Sequence, residues 1–323
     1  MHLDKQPDSK ASAKATIPLP LAQPPAAKAL DSSATNPYEA AREALLRDGY
    51  VILPASLFPS IDLPALRTAA TRLTHKARTG EWPYIRTLPK QFPPWPQDPA
   101  DGIWGVQHLL HPSNPDASTF AKSYFDAELV RCVSTLVGCA EDELCMELYN
   151  MLVRPDRDFS LRWHRDDVPA TATPDEEIAR LAKPGRHAQW NLALADDESL
   201  VLVPGSHKRA RTATERDADP YQEHLPGQIT VKLQAGEVAF YDNNILHRGV
   251  YSCERERMTL HGSMGTGGQR ARNVLQHGVG EWVGGCDFTA LEEGCQGRAE
   301  GMRDRLVVLG SGSGDVGFFA EGE

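Results

Sequence analysis

Short apolar runs separated by turn-forming residues dominate the chain from residue 143 to residue 265. Segments rich in Gly, Pro and Asp stand between them, and most runs are too short for helices. Such a succession is typical of an all-β sandwich or barrel and not of alternating strands and helices. The sequence therefore predicts a mainly β core with strands at 145–153, 161–164, 188–194, 200–203, 229–233, 238–241, 245–250 and 257–264.

Helices are predicted on both sides of this β region. The first begins at Pro37, because Asn36 is a suitable N-cap and proline suits the first helical position. Residues 80–118 are dense in Pro and Trp, and they predict a long ordered loop region. The predicted helices, with a short buried strand at 49–53 between the first two, span 37–48, 62–79, 119–137 and 288–307.

The composition divides the chain into three parts. Residues 1–35 are rich in Ala, Pro, Ser and Lys and have few large apolar side chains, which predicts a disordered arm. Residues 36–265 are expected to form one domain of N-terminal helices and a β core. Residues 266–323 are expected to form a C-terminal extension packed on that core.

Charge and cysteine usage narrow the class of protein. A formal net charge of -10 argues against a nucleic-acid-binding protein, whose binding surface is basic. No apolar run approaches the ~20 residues that span a bilayer, so no membrane contact is expected. Six cysteines without CxxC spacing, in a chain that begins with no secretory signal, favour reduced thiols in a cytoplasmic protein.

The first candidate for chemistry is Trp163-His164-Arg165-Asp166. Residues two apart on a strand face the same side, so His164 and Asp166 can direct an imidazole and a carboxylate at one point. This H-x-D pair supplies two ligands of a 2-His-1-carboxylate metal site. Taken alone, the pair is better explained as a hydrogen-bonded core pair or a surface turn.

The second candidate is the segment 236–249, where a glycine opens an apolar strand and an Asp-Asn-Asn corner precedes His247. His247 lies 83 residues after His164, far enough to belong to another strand of the same barrel. It can therefore supply the third ligand, although an ordinary buried histidine is the alternative. Arg255 and Arg257 follow on the next predicted strand, and the fork of a guanidinium suits a carboxylate.

Together these segments and Pro204-Gly205-Ser206-His207 resemble the phytanoyl-CoA dioxygenase family of iron and 2-oxoglutarate enzymes, over about residues 40–265. The Pro-Gly-Ser-His turn is the most telling segment, because in such proteins it follows a strand that runs beside the H-x-D strand. The sequence departs from the family at 196–200, where an Asn-Gly pair is often found. The resemblance implies a double-stranded β-helix, or jelly roll, with flanking helices.

The resemblance also implies roles for individual residues. His164, Asp166 and His247 would bind iron(II), and His207 would have a structural or supporting role. Arg257 would anchor the far carboxylate of 2-oxoglutarate, with Arg255 the weaker candidate because it lies in a charged stretch that is typical of a turn. Asn150, on the strand before the H-x-D pair, is a further candidate to contact the 2-oxo acid end.

The implied activity is hydroxylation of a C–H bond in a small organic metabolite, with iron(II), 2-oxoglutarate and dioxygen. The alternative is a non-catalytic barrel of the same fold that binds a metal or a small ligand. A cupin-type metalloenzyme is disfavoured, because it would need H-x-H and a following Glu. The substrate, and whether it is a CoA thioester, stays open, since Arg270 and Arg272 are the only clustered cations outside the segment 208–216. The oligomeric state stays open as well.

Overall fold

The computed structural model describes residues 37–183, 186–267, 271, 274–275 and 278–310. The predicted arm, residues 1–35, and the two arginines at 270 and 272 lie outside these residues. Within the described part, no helix is long and apolar enough to cross a membrane. All six cysteines are free thiols.

Two antiparallel sheets form the core, which confirms the predicted jelly roll with flanking helices. The seven-stranded sheet has the order β1-β9-β6-β11-β4-β3-β2, and the four-stranded sheet has the order β5-β10-β7-β8. The strands are β1 Tyr50–Leu53, β2 Ile85–Thr87, β3 Ile103–Val106, β4 Cys145–Val153, β5 Phe159–Ser160, β6 His187–Ala193, β7 Asp197–Leu202, β8 Ile229–Leu233, β9 Val238–Tyr241, β10 His247–Tyr251 and β11 Met258–Gly265.

The main apolar core lies between the large sheet and the helices. Trp190, Phe240 and Leu260 point from the sheet into this core, whereas their neighbours along each strand face the other sheet. The C-terminal helix contributes Met302 and Leu306 to the same core. The helices are α1 Pro37–Asp48, α2 Leu63–Arg78, α3 Ala117–Tyr124, α4 Ala127–Val137, α5 Pro174–Leu181, α6 Ala213–Asp217 and α7 Glu293–Gly310.

The predicted strand at 161–164 is wrong. Within this segment, the amides of Leu161 and His164 both donate to β10, at Gly249 and His247, whereas the amide of Trp163 donates to Pro220. The segment therefore runs beside β10 without forming a regular ladder with it. Only an isolated bridge joins His164 to His247.

The predictions for 80–118 and 119–137 also need correction. The Pro- and Trp-rich segment contains β2 and β3, which extend the large sheet beyond β4. The predicted helix is divided into α3 and α4, because the Asp126 side chain accepts a hydrogen bond from the amide of Leu129 and starts a second helix. The short helices α5 and α6 were not predicted.

Candidate metal centre and its cavity

His164, Asp166 and His247 converge between the two sheets. The Oδ1 atom of Asp166 lies 3.6 Å from Nε2 of His164 and 3.7 Å from Nε2 of His247. Their candidate ligand atoms all lie within 4.8 Å of one another, and among the described residues no other group of three meets this condition. The bridge between His164 and His247 positions the two imidazoles, although the H-x-D segment is not a regular strand.

Backbone carbonyls fix the tautomer of both histidines. Nδ1 of His164 lies 2.8 Å from the carbonyl oxygen of Arg162, and Nδ1 of His247 lies 2.8 Å from that of Ile245. A carbonyl oxygen only accepts, so each Nδ1 carries the proton and each Nε2 presents a lone pair towards Asp166. Burial, together with the neighbouring His247, lowers the pKa of His164 to about 3. Two imidazoles and one carboxylate fit a divalent iron ion.

The Pro-Gly-Ser-His turn connects the two segments that carry these ligands. The buried guanidinium of Arg165 donates to the carbonyl oxygens of Ser206 (2.9 Å) and Asn244. The Ser206 hydroxyl accepts a hydrogen bond of 2.7 Å from the amide of Leu246. His207 is directed away, with Nε2 3.3 Å from the carbonyl oxygen of Leu46, and it is not in the metal cluster.

We expect Ser206→Ala to destabilise the protein without removing any metal ligand. Ser206 is fully buried, so the substitution would leave the amide of Leu246 without its partner. An unsatisfied buried amide costs about 1–3 kcal/mol. Urea titration should show this loss in the free energy of unfolding. Ser252→Ala, which removes a hydroxyl from an exposed turn, is the control and should cost less than ~0.5 kcal/mol. Equal losses in both variants would contradict the assigned role.

A cavity of about 310 Å³ begins at the three ligands and extends between the sheets. This volume is at the lower end of the range for small-molecule sites, roughly 300–1,000 Å³. The candidate co-substrate residues Asn150 and Arg257 both line it, together with His164, Asp166 and His247.

Arg257 is buried beside the cavity, and Arg255 is on the surface. Arg257 is 4% exposed, with Nε 3.3 Å from Oδ2 of Asp197 and its guanidinium 4.2 Å from the ring centre of Tyr251. Although burial opposes its charge, Asp197 and Tyr251 keep the pKa of Arg257 above its ordinary value. The side chain of Arg255 is 61% exposed and pairs with Glu198.

Two buried side chains beside the cavity have N–H donors without acceptors. Nη1 of Arg257 is buried without a hydrogen-bond acceptor, whereas its Nε lies 3.3 Å from Oδ2 of Asp197. The Oδ1 atom of Asn150 accepts from the amide of His108 (3.1 Å), but its Nδ2 has no acceptor. The Thr259 hydroxyl donates to Asp197 and is therefore already paired. Arg257 and Asn150 thus offer free N–H groups to an anionic ligand.

Several polar residues that line the cavity were not predicted from the sequence. Gln189 and Asn191 alternate along β6 with Trp190, which packs in the main core. Asn191 Oδ1 lies 2.9 Å from Nδ1 of His261 on β11. Polar residues at every second position of an otherwise apolar strand could have indicated them, because one face of such a strand lines either solvent or a cavity.

The fold is similar to those of solved structures that share little sequence identity with this chain. AviO1 from Streptomyces viridochromogenes Tue57 is 20% identical, with a TM-score of 0.51 over 74% of this chain and 96% of AviO1. EctD from S. alaskensis, solved with 2-oxoglutarate and 5-hydroxyectoine, is 18% identical, with a TM-score of 0.51 over 73% of this chain and 79% of EctD. Comparison with curated proteins gives no significant match.

Fold and cluster together define a jelly-roll protein with a candidate metal centre inside its barrel. A family model described as phytanoyl-CoA dioxygenase matches residues 45–250, which include all three candidate ligands. The chain therefore belongs to the phytanoyl-CoA dioxygenase family, as the motifs in its sequence predicted. The matched region ends within β10, so Arg257 on the far side of the following turn lies beyond it.

Proposed function

We propose that the protein is an iron(II)- and 2-oxoglutarate-dependent dioxygenase that hydroxylates a C–H bond of a small organic molecule. The observation that carries this proposal is the convergence of His164, Asp166 and His247 in the same cavity as the buried Arg257. Two imidazoles and one carboxylate leave several positions of a bound iron open for other ligands. Membership of the phytanoyl-CoA dioxygenase family supports the same reaction class.

In this proposal, the protein contributes binding, orientation and exclusion of water. His164, Asp166 and His247 would hold iron(II), and the guanidinium of Arg257 would hold the far carboxylate of 2-oxoglutarate in a charge-assisted pair. The free Nδ2–H of Asn150 would donate to the 2-oxo acid end. Bound iron(II), with 2-oxoglutarate and dioxygen, would supply the oxidising power for hydroxylation.

Production of succinate tests the activity before any substrate is known. The protein, loaded anaerobically with iron(II) and then given 2-oxoglutarate and air, should convert 2-oxoglutarate into succinate slowly. Mass spectrometry of small-molecule mixtures should then find products heavier by one oxygen atom. Binding of iron(II) and 2-oxoglutarate without any succinate above that of an Asp166→Ala variant would instead favour the non-catalytic barrel.

A further inference from the structure

A second arginine reaches the cavity from β2. Arg86 pairs with Gly105 of β3 in the sheet register, and its side chain lines the cavity. A Cβ atom at Gly105 would lie 2.9 Å from Cδ of Arg86. The absence of a side chain at Gly105 therefore makes room for the aliphatic part of Arg86 to cross the strand.

Two tryptophans of the Pro- and Trp-rich segment flank the guanidinium. Its central carbon lies 5.1 Å from the ring centre of Trp95 and 5.2 Å from that of Trp104. Burial lowers the pKa of Arg86 to about 10, so the group stays protonated at neutral pH. Arg86 is thus a permanent cation in the cavity, held against aromatic faces.

This cation has no carboxylate of its own. Among the described residues, none forms a hydrogen bond or ion pair with Arg86, and its Nε is buried without an acceptor. The other buried arginines are compensated: Arg257 by Asp197, and Arg165 and Arg248 by backbone carbonyl oxygens. A buried charge without a hydrogen-bonding partner is unfavourable, and aromatic contacts offset only part of that cost.

We propose that Arg86 binds a carboxylate of the organic substrate, so that the substrate is an anion. This inference rests on the proposed function, which assigns the two ends of 2-oxoglutarate to the metal and to Arg257. Arg86 then remains as the cation for a second ligand. Asp166, the carboxylate that favours its charge from nearby, is committed to the metal.

Benzoate and benzamide are suitable probes, because they have nearly the same shape and only benzoate is charged. The titrations are done by calorimetry on full-length protein saturated with zinc(II) and 2-oxoglutarate. Zinc(II) then fills the metal site, 2-oxoglutarate fills its place at the metal and at Arg257, and no turnover occurs. Wild type should bind benzoate at least ~10-fold more tightly than benzamide. Arg86→Gln should reduce this preference to less than about threefold while changing the 2-oxoglutarate dissociation constant less than about threefold.

Arg303→Gln is the matched control, because Arg303 also contacts an aromatic ring, that of Phe288, but lies outside the cavity. It should keep the full preference for benzoate. If Arg86→Gln fails to fold by thermal melting, Arg86→Lys replaces it. The lysine keeps the charge but loses the planar fork. The preference of Arg86→Lys for benzoate over benzamide should therefore be weaker than that of wild type but not abolished.

Three results would overturn the inference. The first is equal benzoate preference in wild type and the Arg86 variant. The second is a large loss of 2-oxoglutarate affinity in that variant, which would make 2-oxoglutarate the anion at Arg86. The third is no binding of benzoate to wild type. The titrations are repeated without metal and 2-oxoglutarate. Arg86-dependent benzoate binding there, with no binding of 2-oxoglutarate to the metal-loaded protein, would reject the proposed function but retain the anion site.

Discussion

Asp166→Ala is expected to reduce iron(II) affinity by more than ~100-fold and to abolish formation of succinate. Changes to the outer hydrogen-bond partners of metal ligands typically cost 10–100-fold, and removing a ligand should cost more. Asp166 is also the single carboxylate between the two imidazoles, so its loss removes the negative charge that faces the cation. His164→Ala and His247→Ala should have the same outcome. Iron content after anaerobic loading, followed by desalting, measures the effect.

The fold should survive these substitutions. The backbone at Asp166 is held independently of its side chain, since its amide donates to the carbonyl oxygen of Asn243 (2.9 Å). His224→Ala is the control, because His224 is a histidine on the surface with a side chain that is 71% exposed. It should retain full iron binding. Tight, stoichiometric iron in all three cluster variants would remove these residues from the metal site.

Arg257→Ala is expected to raise the dissociation constant for 2-oxoglutarate by at least ~30-fold in the metal-loaded protein. Truncating one partner of a buried charge pair typically costs about 2–5 kcal/mol, and ~1.4 kcal/mol corresponds to a factor of ten. Arg257 is buried, lines the cavity and has a donor, Nη1, without an acceptor, so the whole of its interaction with the carboxylate would be lost. Titration of 2-oxoglutarate under anaerobic conditions measures the change.

Arg255→Ala is the matched control for charge. Its side chain is solvent-exposed and paired with Glu198, so the dissociation constant should change by less than about threefold. Arg257→Ala also leaves Asp197 buried without its cation, which can destabilise the fold. The double variant Asp197→Asn/Arg257→Gln removes both charges and should still lose 2-oxoglutarate. A larger effect of Arg255→Ala would make Arg255 the anchor, and no effect of either would remove 2-oxoglutarate from the mechanism.

Local sequence determined the positions of most strands and of the candidate metal ligands. The strands at 229–233 and 238–241 agree with β8 and β9 residue for residue, because apolar runs of this length are bounded by turn residues on both sides. The H-x-D spacing and the distal histidine were recognisable for a similar reason. Each of these motifs is a short stretch of neighbouring residues, and the order of the motifs along the chain is the one found in the family.

The sequence already favoured Arg257 over Arg255, and the structure added the burial of each side chain. The charged stretch around Arg255 predicted a turn, and the structure places that residue on the surface and Arg257 in the interior. The boundary of the domain at residue 265 stays a prediction. The observed packing of α7 in the main core shows only that residues beyond this boundary contribute to the same apolar core.

Tertiary structure alone decided what surrounds the metal site. The segment 161–164 bonds to β10 at Leu161 and His164 but to Pro220 at Trp163, which no local pattern encodes, and the bridge to His247 still brings the ligands together. The prolines of 80–118 concealed β2 and β3, because proline lacks the amide that a strand donates and the two strands are only three and four residues long. β2 pairs with β3, and the pairing of β3 with β4 depends on contacts between residues distant in sequence. That pairing is what brings Arg86 into the cavity, and its position there could not be predicted from the residues around it.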